Sequence, residues 1–291
     1  MPSLLMGLLV FVLLVFSNNS RGVNAESTWD LLHEGRIEHA TTVIGFISDS
    51  HGITVGFAGE SHVTNDGGKT WPETIGLGLC RFGLDIVDEQ VAWNSGNGTG
   101  LSVSTDGGAS WKSGGNYGGL EPFHCRYLSF LDAKTGWAAN ATKLGSTSDQ
   151  GQTWQDVNLP VGIKNLKAID LCTPQTGHLL DENGDFYSTG DGGKTWSKQA
   201  LGIKPENFYL TITYTPTAVM RFTDPVHGLI IIRQVKPVQT WLEFVTNDGG
   251  KTWQQQSSTV PGKLGTVFLT RNGKYFSILD GLGNMQVFKR R

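Results

Sequence analysis

Short apolar segments separated by polar, glycine-containing turns recur along most of the chain. In one recurring pattern, an apolar segment runs into an acidic turn and is followed by a small residue and a second apolar segment. The pattern predicts two antiparallel strands joined by a tight turn. It is found at Phe46–Ile53, Ile86–Trp93, Phe130–Trp137 and Phe222–Leu229, and more weakly at Pro174–His178.

A second pattern, of eight residues, follows the first one five times. Its first copy reads Thr64-Asn65-Asp66-Gly67-Gly68-Lys69-Thr70-Trp71, and the copies span 64–71, 104–111, 147–154, 189–196 and 246–253. Their tryptophans are separated by 40, 43, 42 and 57 residues, and a period of about 40–50 residues is typical of a four-stranded propeller blade. We therefore assign the first pattern to inner strands A and B of each blade, and the second to the turn between outer strands C and D.

The eight-residue motif has a structural explanation that needs no ligand. Its aspartate can accept hydrogen bonds from the following turn, its glycines allow a positive φ, and its tryptophan offers a large apolar surface for packing. We interpret these residues as structural. They are Asp66, Asp106, Asp149, Asp191 and Asp248, with Trp71, Trp111, Trp154, Trp196 and Trp253.

The blade count follows from both ends of the chain. Residues 264–288 contain three apolar segments without the motif, whereas Trp29 precedes Trp71 by one normal period. We expect the segment around Trp29 to complete the last blade as its fourth strand, because closure by the two ends removes exposed sheet edges. The predicted fold is an all-β, single propeller of six blades, each of four antiparallel strands. Five blades are the minimum, and seven would require another blade in the 57-residue interval, where we expect one extra hairpin or a long loop.

An apolar run from Leu4 to Phe16 is followed by the small-residue sequence Val23-Asn24-Ala25. It predicts a secretory signal peptide over residues 1–25 and a propeller domain over 26–291. The alternative is a membrane anchor, but a run of about 13 residues is shorter than the ~20 that span a bilayer. Without residues 1–25, 22 basic residues face 26 acidic ones, a net charge of −4. We therefore expect an extracytoplasmic monomer without nucleic-acid binding or stable membrane insertion.

Three cysteines and two glycosylation sequons bear on this location. Cys80 and Cys125 begin similar Cys-Arg-aromatic triplets in consecutive repeats, so they are the expected disulfide pair, with buried free thiols as the alternative. Cys172 then has no expected disulfide partner. The sequons begin at Asn97 and Asn140, and they matter only in a eukaryotic host.

Candidate binding residues lie on the propeller face opposite the tight turns. The A–B and C–D turns share one end of the strands, the turn face, and the B–C and D–A loops share the other, the loop face. Arg81 and Arg126 enter inner strands and are candidates for clamping a carboxylate, or alternatively for pairing with acidic neighbours or backbone carbonyls. Tyr117 and His124 add aromatic loop content suited to a sugar or a protein partner.

The chain offers few other chemical motifs. It contains no nucleophile elbow, phosphate-binding loop or zinc spacing, so we predict no catalytic residue, metal or cofactor. The run Asp181-Glu182-Asn183-Gly184-Asp185 offers oxygen ligands for Ca²⁺, but it lacks the spacing of a dedicated loop, and a solvated hairpin is the favoured interpretation.

The eight-residue motif is the Asp-box, or BNR repeat, which is found in sialidases and in many other propellers. Together with the strand-pair pattern, it makes residues 40–255 resemble the photosystem II stability/assembly factor family. That resemblance implies a non-enzymatic assembly platform.

The more distant resemblance to sialidases implies three arginines, a tyrosine nucleophile and a glycoside hydrolase activity. Arg36, Arg233, Arg271 and Tyr275 are the available residues, although Gly35-Arg36-Ile37-Glu38 stands where sialidases carry Phe-Arg-Ile-Pro. We therefore expect a secreted, non-catalytic scaffold that binds a protein or glycan at its loop face. The alternatives are a sialidase-like hydrolase and, in a photosynthetic host, a photosystem assembly factor.

Overall fold

The computed structural model describes residues 28–56, 58–74, 81–96, 100–115, 125–203, 218–237, 239–256 and 265–291, and only the backbone of residues 81 and 82. The predicted signal peptide, Cys80, Asn97, Tyr117 and His124 lie outside these ranges. In the described ranges, no helix is long and apolar enough to cross a membrane.

The described chain forms six four-stranded antiparallel sheets, which confirms the predicted all-β propeller of six blades. In blades 1 to 5, strands that follow one another in the chain are also neighbours in the sheet. The first strand, β1 (Trp29–Arg36), belongs to the last blade, and blade 1 contains β2 (Thr41–Phe46), β3 (Gly52–Gly56), β4 (Ser61–Thr64) and β5 (Glu73–Thr74). Blade 2 contains β6 (Arg81–Ile86), β7 (Ala92–Gly96), β8 (Gly100–Ser104) and β9 (Lys112–Ser113). Blade 3 contains β10 (Tyr127–Phe130), β11 (Gly136–Ala139), β12 (Leu144–Thr147) and β13 (Gln155–Val157).

The remaining blades follow the same order until the chain ends. Blade 4 contains β14 (Leu166–Leu171), β15 (Gly177–Asp181), β16 (Asp185–Thr189) and β17 (Ser197–Ala200). Blade 5 contains β18 (Ala218–Phe222), β19 (Gly228–Gln234), β20 (Thr240–Thr246) and β21 (Gln254–Gln255). Blade 6 contains β22 (Thr266–Leu269), β23 (Tyr275–Leu279), β24 (Asn284–Arg290) and, as its outer strand, β1 (Trp29–Arg36).

The two ends of the chain close the ring, as the spacing of Trp29 predicts. Trp29 pairs with Arg290 at one end of β1, and Arg36 pairs with Asn284 at the other. A buried carboxylate of blade 5 fastens this strand pair, because Glu243 Oε2 accepts hydrogen bonds from Trp29 Nε1 at 2.9 Å and Thr28 Oγ1 at 3.1 Å. Its other oxygen pairs with Arg290 at 3.0 Å. The closing blade is thus held to its neighbour by charge as well as by apolar packing.

Each Asp-box packs on the blade that precedes it. Trp111 of blade 2 is buried among Ile53, Val55 and Val63 of blade 1, and Trp253 of blade 5 packs on Phe186 of blade 4. Trp71, Trp154 and Trp196 likewise join clusters that contain residues of blades 6, 2 and 3.

The second glycine of the motif serves the same packing. A Cβ placed on Gly68 would lie 2.4 Å from Met285 of blade 6, and one on Gly250 would lie 2.3 Å from Phe186 of blade 4. These distances are too short for a side chain, so glycine is required by the approach of the neighbouring blade as well as by its positive φ.

The Asp-boxes also bind the neighbouring A–B turns at the turn face. In every box a backbone N–H donates to a carbonyl of the A–B turn in the same blade, as Gly67 does to Ser50 at 3.0 Å and Gly192 to Gln175 at 2.8 Å. The A–B and C–D turns therefore form one bonded surface at this end of the propeller.

We expect Glu243→Gln to destabilise the closed ring by about 3 kcal/mol, because it removes the charge that Arg290 faces in a buried site. Glu38→Gln, at an exposed position beside the same closing strand, should stay within about 0.5 kcal/mol of the wild type. Urea denaturation of both variants tests this, and equal stabilities would show that the clamp contributes nothing.

His178 makes stability depend on pH. It is 1% exposed and stacked between Phe186 and Phe222, and burial lowers its pKa to about 3. Between about pH 6.5 and pH 3, His178 therefore binds a proton in the unfolded chain but not in the folded chain. The free energy of unfolding should fall by up to about 1.4 kcal/mol per pH unit as the pH drops from 6.5 toward 3. His178→Phe keeps the ring stack and should flatten this slope in denaturation curves at pH 6.5, 5.5 and 4.5. An unchanged slope would contradict the assignment.

Candidate functional site

The Asp-box carboxylates accept hydrogen bonds from residues of their own turns. Asp66 Oδ1 accepts from the backbone N–H groups of Lys69 and Thr70 and from Thr64 Oγ1, and Oδ2 accepts from Thr70 Oγ1 at 2.7 Å. The bonds from Thr70 hold the pKa of Asp66 well below its usual value, and those from Thr252 lower the pKa of Asp248 to about 2. All five boxes share the hydroxyl-to-carboxylate bonds at both ends of the motif. These carboxylates are anionic turn ligands rather than proton-transfer groups.

The inner strands carry chemically different residues at one equivalent level of the central channel. Each of these residues is the second-to-last residue of its strand A, and the residue after it pairs with the first or second residue of strand B. Going around the ring, they are Gly45, Asp85, Ser129, Asp170, Arg221 and Phe268. A Cβ on Gly45 would lie 2.7 Å from the ring of Phe268, so the phenyl ring occupies the space that the glycine leaves.

A buried ion network fills the channel at this level. Arg221 lies between two carboxylates, with Nη2 2.5 Å from Asp85 Oδ1 and Nη1 3.3 Å from Asp170 Oδ1. Asp85 also accepts from the backbone N–H of Phe130 at 2.6 Å, and Asp170 from that of Phe222 at 2.9 Å. Burial opposes the charge of Arg221, but the two carboxylates outweigh it and raise its pKa.

Arg271 spans the channel on the turn-face side of this network. Its Nη1 donates to the carbonyl of Phe130 at 2.7 Å and its Nη2 to that of Leu171 at 2.5 Å. With Arg271 included, two arginines accompany two aspartates, so the formal charges balance. Burial nevertheless raises the pKa of Asp170 against the lowering effects of Arg221 and Arg271.

Two cations lie toward the loop-face ends of neighbouring inner strands. Arg126 and Lys167 stand three residues before Ser129 and Asp170, and Lys167 lies at a register shift between Leu166 and Ala168. Lys167 is 9% exposed, and in the described part of the chain no carboxylate lies within ion-pair distance of it. Burial lowers the pKa of Lys167, and the charge of Arg126 lowers it further against the opposing effect of Glu182.

A cavity of about 60 Å³ lies between Arg126 and the ion network. Its lining includes Arg126 at one end and Arg221 at the other, with apolar side chains between them. Adjacent cations in a partly desolvated site repel one another, and a concave site with such charges is a candidate for binding an anion. We name Arg126, Lys167 and this cavity the channel mouth.

The backbone of β6 carries a register shift between Arg81 and Gly83. Arg81 lies five residues before Ile86, and Arg126 lies four residues before Phe130, the equivalent end of its strand. The side chain of Arg81 lies outside the described part of the chain, so the expected convergence of Arg81 and Arg126 on the channel stays a prediction. Tyr117 and His124 lie outside the described ranges, so their role stays a prediction.

The other candidate residues lie apart from the channel. Cys125 and Cys172 are not bonded to each other, and burial raises the pKa values of their thiols to about 12 and about 11. Because Cys80 lies outside the described residues, its pairing with Cys125 stays a prediction. Asn140, the acceptor of the second sequon, folds its own turn by accepting from the backbone of Thr142 and Lys143.

The acidic run of blade 4 forms a hairpin. Asp181 accepts hydrogen bonds from the backbone N–H groups of Lys164, Asn183 and Asp185. In the ranges that the structure describes, no group of three or more histidine, cysteine or carboxylate side chains is arranged to hold a metal ion.

The residues named for a sialidase-type site are not brought together. Arg36 ends β1 and Arg233 lies near the end of β19, both toward the loop face, whereas Arg271 crosses the channel on the turn-face side. Tyr275 donates to Asp49 Oδ1 at 2.6 Å on the turn face, and burial and this bond raise its pKa to about 12. These positions do not form a three-arginine clamp.

Sequence reasoning missed Asp85, Lys167, Asp170 and Arg221. A signal was available, because aligning the repeats on the last apolar residue of each inner strand places Asp85, Asp170 and Arg221 in one column. The same alignment places Lys167 beside Arg126.

Comparisons with known proteins agree with this architecture. Residues 244–255 match the BNR/Asp-box repeat family. Among curated proteins, the photosystem II assembly lipoprotein Ycf48 of Synechococcus sp. (strain CC9902) is 26% identical over 161 residues, which are 54% of this chain and 44% of that protein. The chain therefore spans less than half of the curated relative that it matches.

Solved structures share the fold. A structure described as Ycf48 bound to D1 peptide superposes with a TM-score of 0.58 and 14% identity, over 92% of this chain and 97% of that one. The GH74 enzyme of Niastella koreensis superposes with a TM-score of 0.54 and 14% identity, over 85% of this chain and 45% of the enzyme. The resemblance to Asp-box propellers and to Ycf48 is confirmed, and the structural likeness establishes the propeller fold alone.

We expect Arg221→Met to destabilise the protein by about 3–5 kcal/mol, because it leaves two buried carboxylates without their cation. The triple variant Arg221→Met/Asp85→Asn/Asp170→Asn should recover much of this loss, since amide oxygens can still accept the bonds from Phe130 and Phe222. Urea denaturation midpoints of the wild type, the single variant and the triple variant test this expectation. A triple variant as unstable as the single one would show that the cost is not that of unpaired charge.

Proposed function

We propose that this protein is a non-catalytic binding scaffold that holds an acidic segment of a protein partner at the channel mouth on its loop face. The observation that supports the proposal is that Arg126 lines the cavity at the loop-face end of a channel whose deeper charges are paired, with Lys167 on the neighbouring inner strand. The proposal includes an extracytoplasmic, monomeric protein, in line with the apolar segment at Leu4–Phe16.

The charge arrangement favours recognition over catalysis. General acid–base chemistry needs a titratable group within hydrogen-bond reach of a substrate, but Asp85 and Asp170 are bound to Arg221 and to backbone N–H groups. Arg126 instead lines the cavity, and its guanidinium group suits charge-assisted hydrogen bonds to carboxylates. The site thus offers a means of holding an anion and no evident means of transforming one.

The relatives support a protein as the partner. The similarity to Ycf48 supports an assembly-factor type of propeller, and a solved Ycf48 structure that shares this fold is described as bound to a peptide. A photosystem subunit as the partner would require a photosynthetic host. We therefore propose the class of partner, an acidic polypeptide segment, rather than its identity.

We expect an N-terminally fluorescein-labelled, Glu/Ser-rich decapeptide to bind in an anisotropy assay, and a Lys/Ser-rich counterpart not to bind. Arg126→Gln and Lys167→Gln should each weaken binding about 10-fold, which corresponds to about 1.4 kcal/mol for one charge-assisted contact. Lys194→Gln, on the exposed turn face, is the matched control and should leave the affinity unchanged. Affinity should also fall as salt rises, because the mouth is partly open to solvent.

Two results would contradict the proposal. Equal affinity for the acidic and the basic peptide would remove the electrostatic basis, and an equal effect of Lys194→Gln would move the binding away from the channel mouth. Salt-independent binding of neutral oligosaccharides, together with no binding of acidic peptides, would favour a glycan partner instead.

A further inference from the structure

Blade 6 differs from the other blades at the turn face. Its two outer strands, β24 and β1, come from opposite ends of the chain, so no Asp-box joins them. Other groups take over two roles of the box. Arg290 N–H donates to the carbonyl of Lys274 at 2.8 Å, as a box N–H does to the A–B turn of the other blades. Trp29 belongs to the same apolar cluster as Leu229 and Ile231 of blade 5. The role that remains is that of the glycine turn.

A pocket of about 250 Å³ lies at the turn-face end of the contact between blades 5 and 6. Blade 5 supplies most of its walls and blade 6 supplies the rest. The lining includes Thr223, His227, Leu229 and Val245 of blade 5, with Gly273 and Arg290 of blade 6. We name it the glycine pocket, for the reason given next.

Blade 1 shows what the same wall holds elsewhere in the ring. In both blades a histidine stands two residues before the apolar residue of strand B, which pairs with a valine of strand C. The equivalent residues are His51, Ile53 and Val63 in blade 1 and His227, Leu229 and Val245 in blade 5. All three residues of blade 5 line the glycine pocket.

In blade 1, this wall is covered by the Gly-Gly turn of the next Asp-box. A Cβ placed on Gly108 would lie 3.0 Å from both Ile53 and Val63, and one on Gly107 would lie 3.3 Å from His51. The turn leaves Val63 only 6% exposed, whereas Val245 is half-buried. The wall of the glycine pocket therefore matches a surface that packs on a glycine turn elsewhere in this protein.

The size of the pocket agrees with such an occupant. One water-sized probe needs about 10–15 Å³, so the pocket has room for on the order of 20 heavy atoms. The unit Asp-Gly-Gly has about that number. Glycine suits the place because it adopts a positive φ and lets the backbone lie directly against neighbouring side chains.

The sequence before Trp29 does not supply this turn. The residues before Thr28 lie outside the described part of the chain, but their identities are known. Counting back from Trp29 puts Asn24 at the place of the box aspartate, and Ala25 and Glu26 at the places of the two glycines. The predicted signal peptide includes Asn24 and Ala25. A processed chain that begins at Glu26 thus has neither the acidic residue nor the glycines of a box.

We propose that the turn face carries a second interaction site, at which the glycine pocket binds a glycine-containing turn of a partner protein. The partner's turn takes the place that Gly107 and Gly108 occupy on blade 1. This site lies at the opposite end of the propeller from the channel mouth, so the two sites are independent of each other.

A disulfide-closed peptide that carries Thr-Asn-Asp-Gly-Gly-Lys-Thr between two cysteines tests the proposal. The sequence is that of residues 246–252, an Asp-box of this chain. The fluorescein-labelled peptide should bind residues 26–291 saturably in an anisotropy assay. An analogue with Ala-Ala in place of Gly-Gly should bind at least 10-fold more weakly, because its Cβ atoms prevent close packing on the wall. An excess of the acidic decapeptide should not displace it.

Methyl spectra locate the bound peptide. In a protein labelled with ¹³C at its leucine, isoleucine and valine methyl groups, the peptide should shift the signals of Leu229 and Val245. The signals of Ile53 and Val63, which lie against Gly108, provide the internal control and should stay in place.

A matched pair of variants tests the location independently. The second residue of the box differs among the five copies, so it tolerates substitution. Asn247→Trp, at this place in the pocket wall, should weaken binding at least 10-fold, whereas Ser148→Trp, at the same exposed place in blade 3, should retain it. If Asn247→Trp lowers the melting temperature strongly, Thr223→Trp, at another exposed place in the wall, replaces it.

The other outcomes overturn the proposal. Equal affinity for the Gly-Gly and Ala-Ala peptides would remove glycine recognition, and equal effects of Asn247→Trp and Ser148→Trp would remove the pocket as its place. The absence of any binding to residues 26–291 would exclude a partner's turn. A higher melting temperature of a chain extended back to Gly22 would then assign the pocket to the protein's own N-terminal segment.

Discussion

The whole structure depends on the packing of each blade against the one before it. A four-stranded blade has two faces, and neither can remain in solvent without exposing apolar side chains. The Asp-box meets this need locally, because it places a tryptophan and a close-packed glycine on the preceding blade while its aspartate holds the turn. The same constraint makes ring closure obligatory. Blade 6 carries no Asp-box, and there Trp29 and the bonds to the buried Glu243 occupy the corresponding contact with blade 5.

The central channel departs from the repetition that builds the blades. Equivalent inner-strand positions carry Gly45, Asp85, Ser129, Asp170, Arg221 and Phe268, which could not all satisfy one repeated environment. Their differences compensate one another across the channel, since one arginine satisfies two aspartates and one phenyl ring fills the space above a glycine. At the loop-face level, two cations, Arg126 and Lys167, belong to neighbouring inner strands, and the charge of Arg126 contributes to the lowered pKa of Lys167. A departure from the repeat that is balanced within the fold serves stability.

Local signals made the fold predictable, and long-range pairing made the site unpredictable. The Asp-box and the strand-pair pattern each lie within a few residues, so the blades and even the role of Trp29 follow from spacing alone. Arg221 and Asp85, in contrast, are 136 residues apart, and only the ring brings them together. Lys167 appears in sequence as one more basic residue on an amphipathic strand. The similar Cys-Arg-aromatic triplets likewise do not reveal the register shift between Arg81 and Gly83, because such a shift depends on pairing with the neighbouring strand.

The features that identify this fold are therefore not the ones that determine its chemistry. The Asp-boxes are the strongest motif in the sequence, but hydrogen bonds within each turn occupy their carboxylates. The same propeller superposes on Ycf48 and on a GH74 enzyme, so neither peptide binding nor hydrolysis follows from the architecture. What distinguishes one propeller from another is the set of side chains at its channel. Here the deeper set is paired within the fold, whereas the outer set includes Arg126, which borders a mainly apolar cavity. The composition of that outer set, rather than the repeated motif, is the basis of the anion binding that we propose.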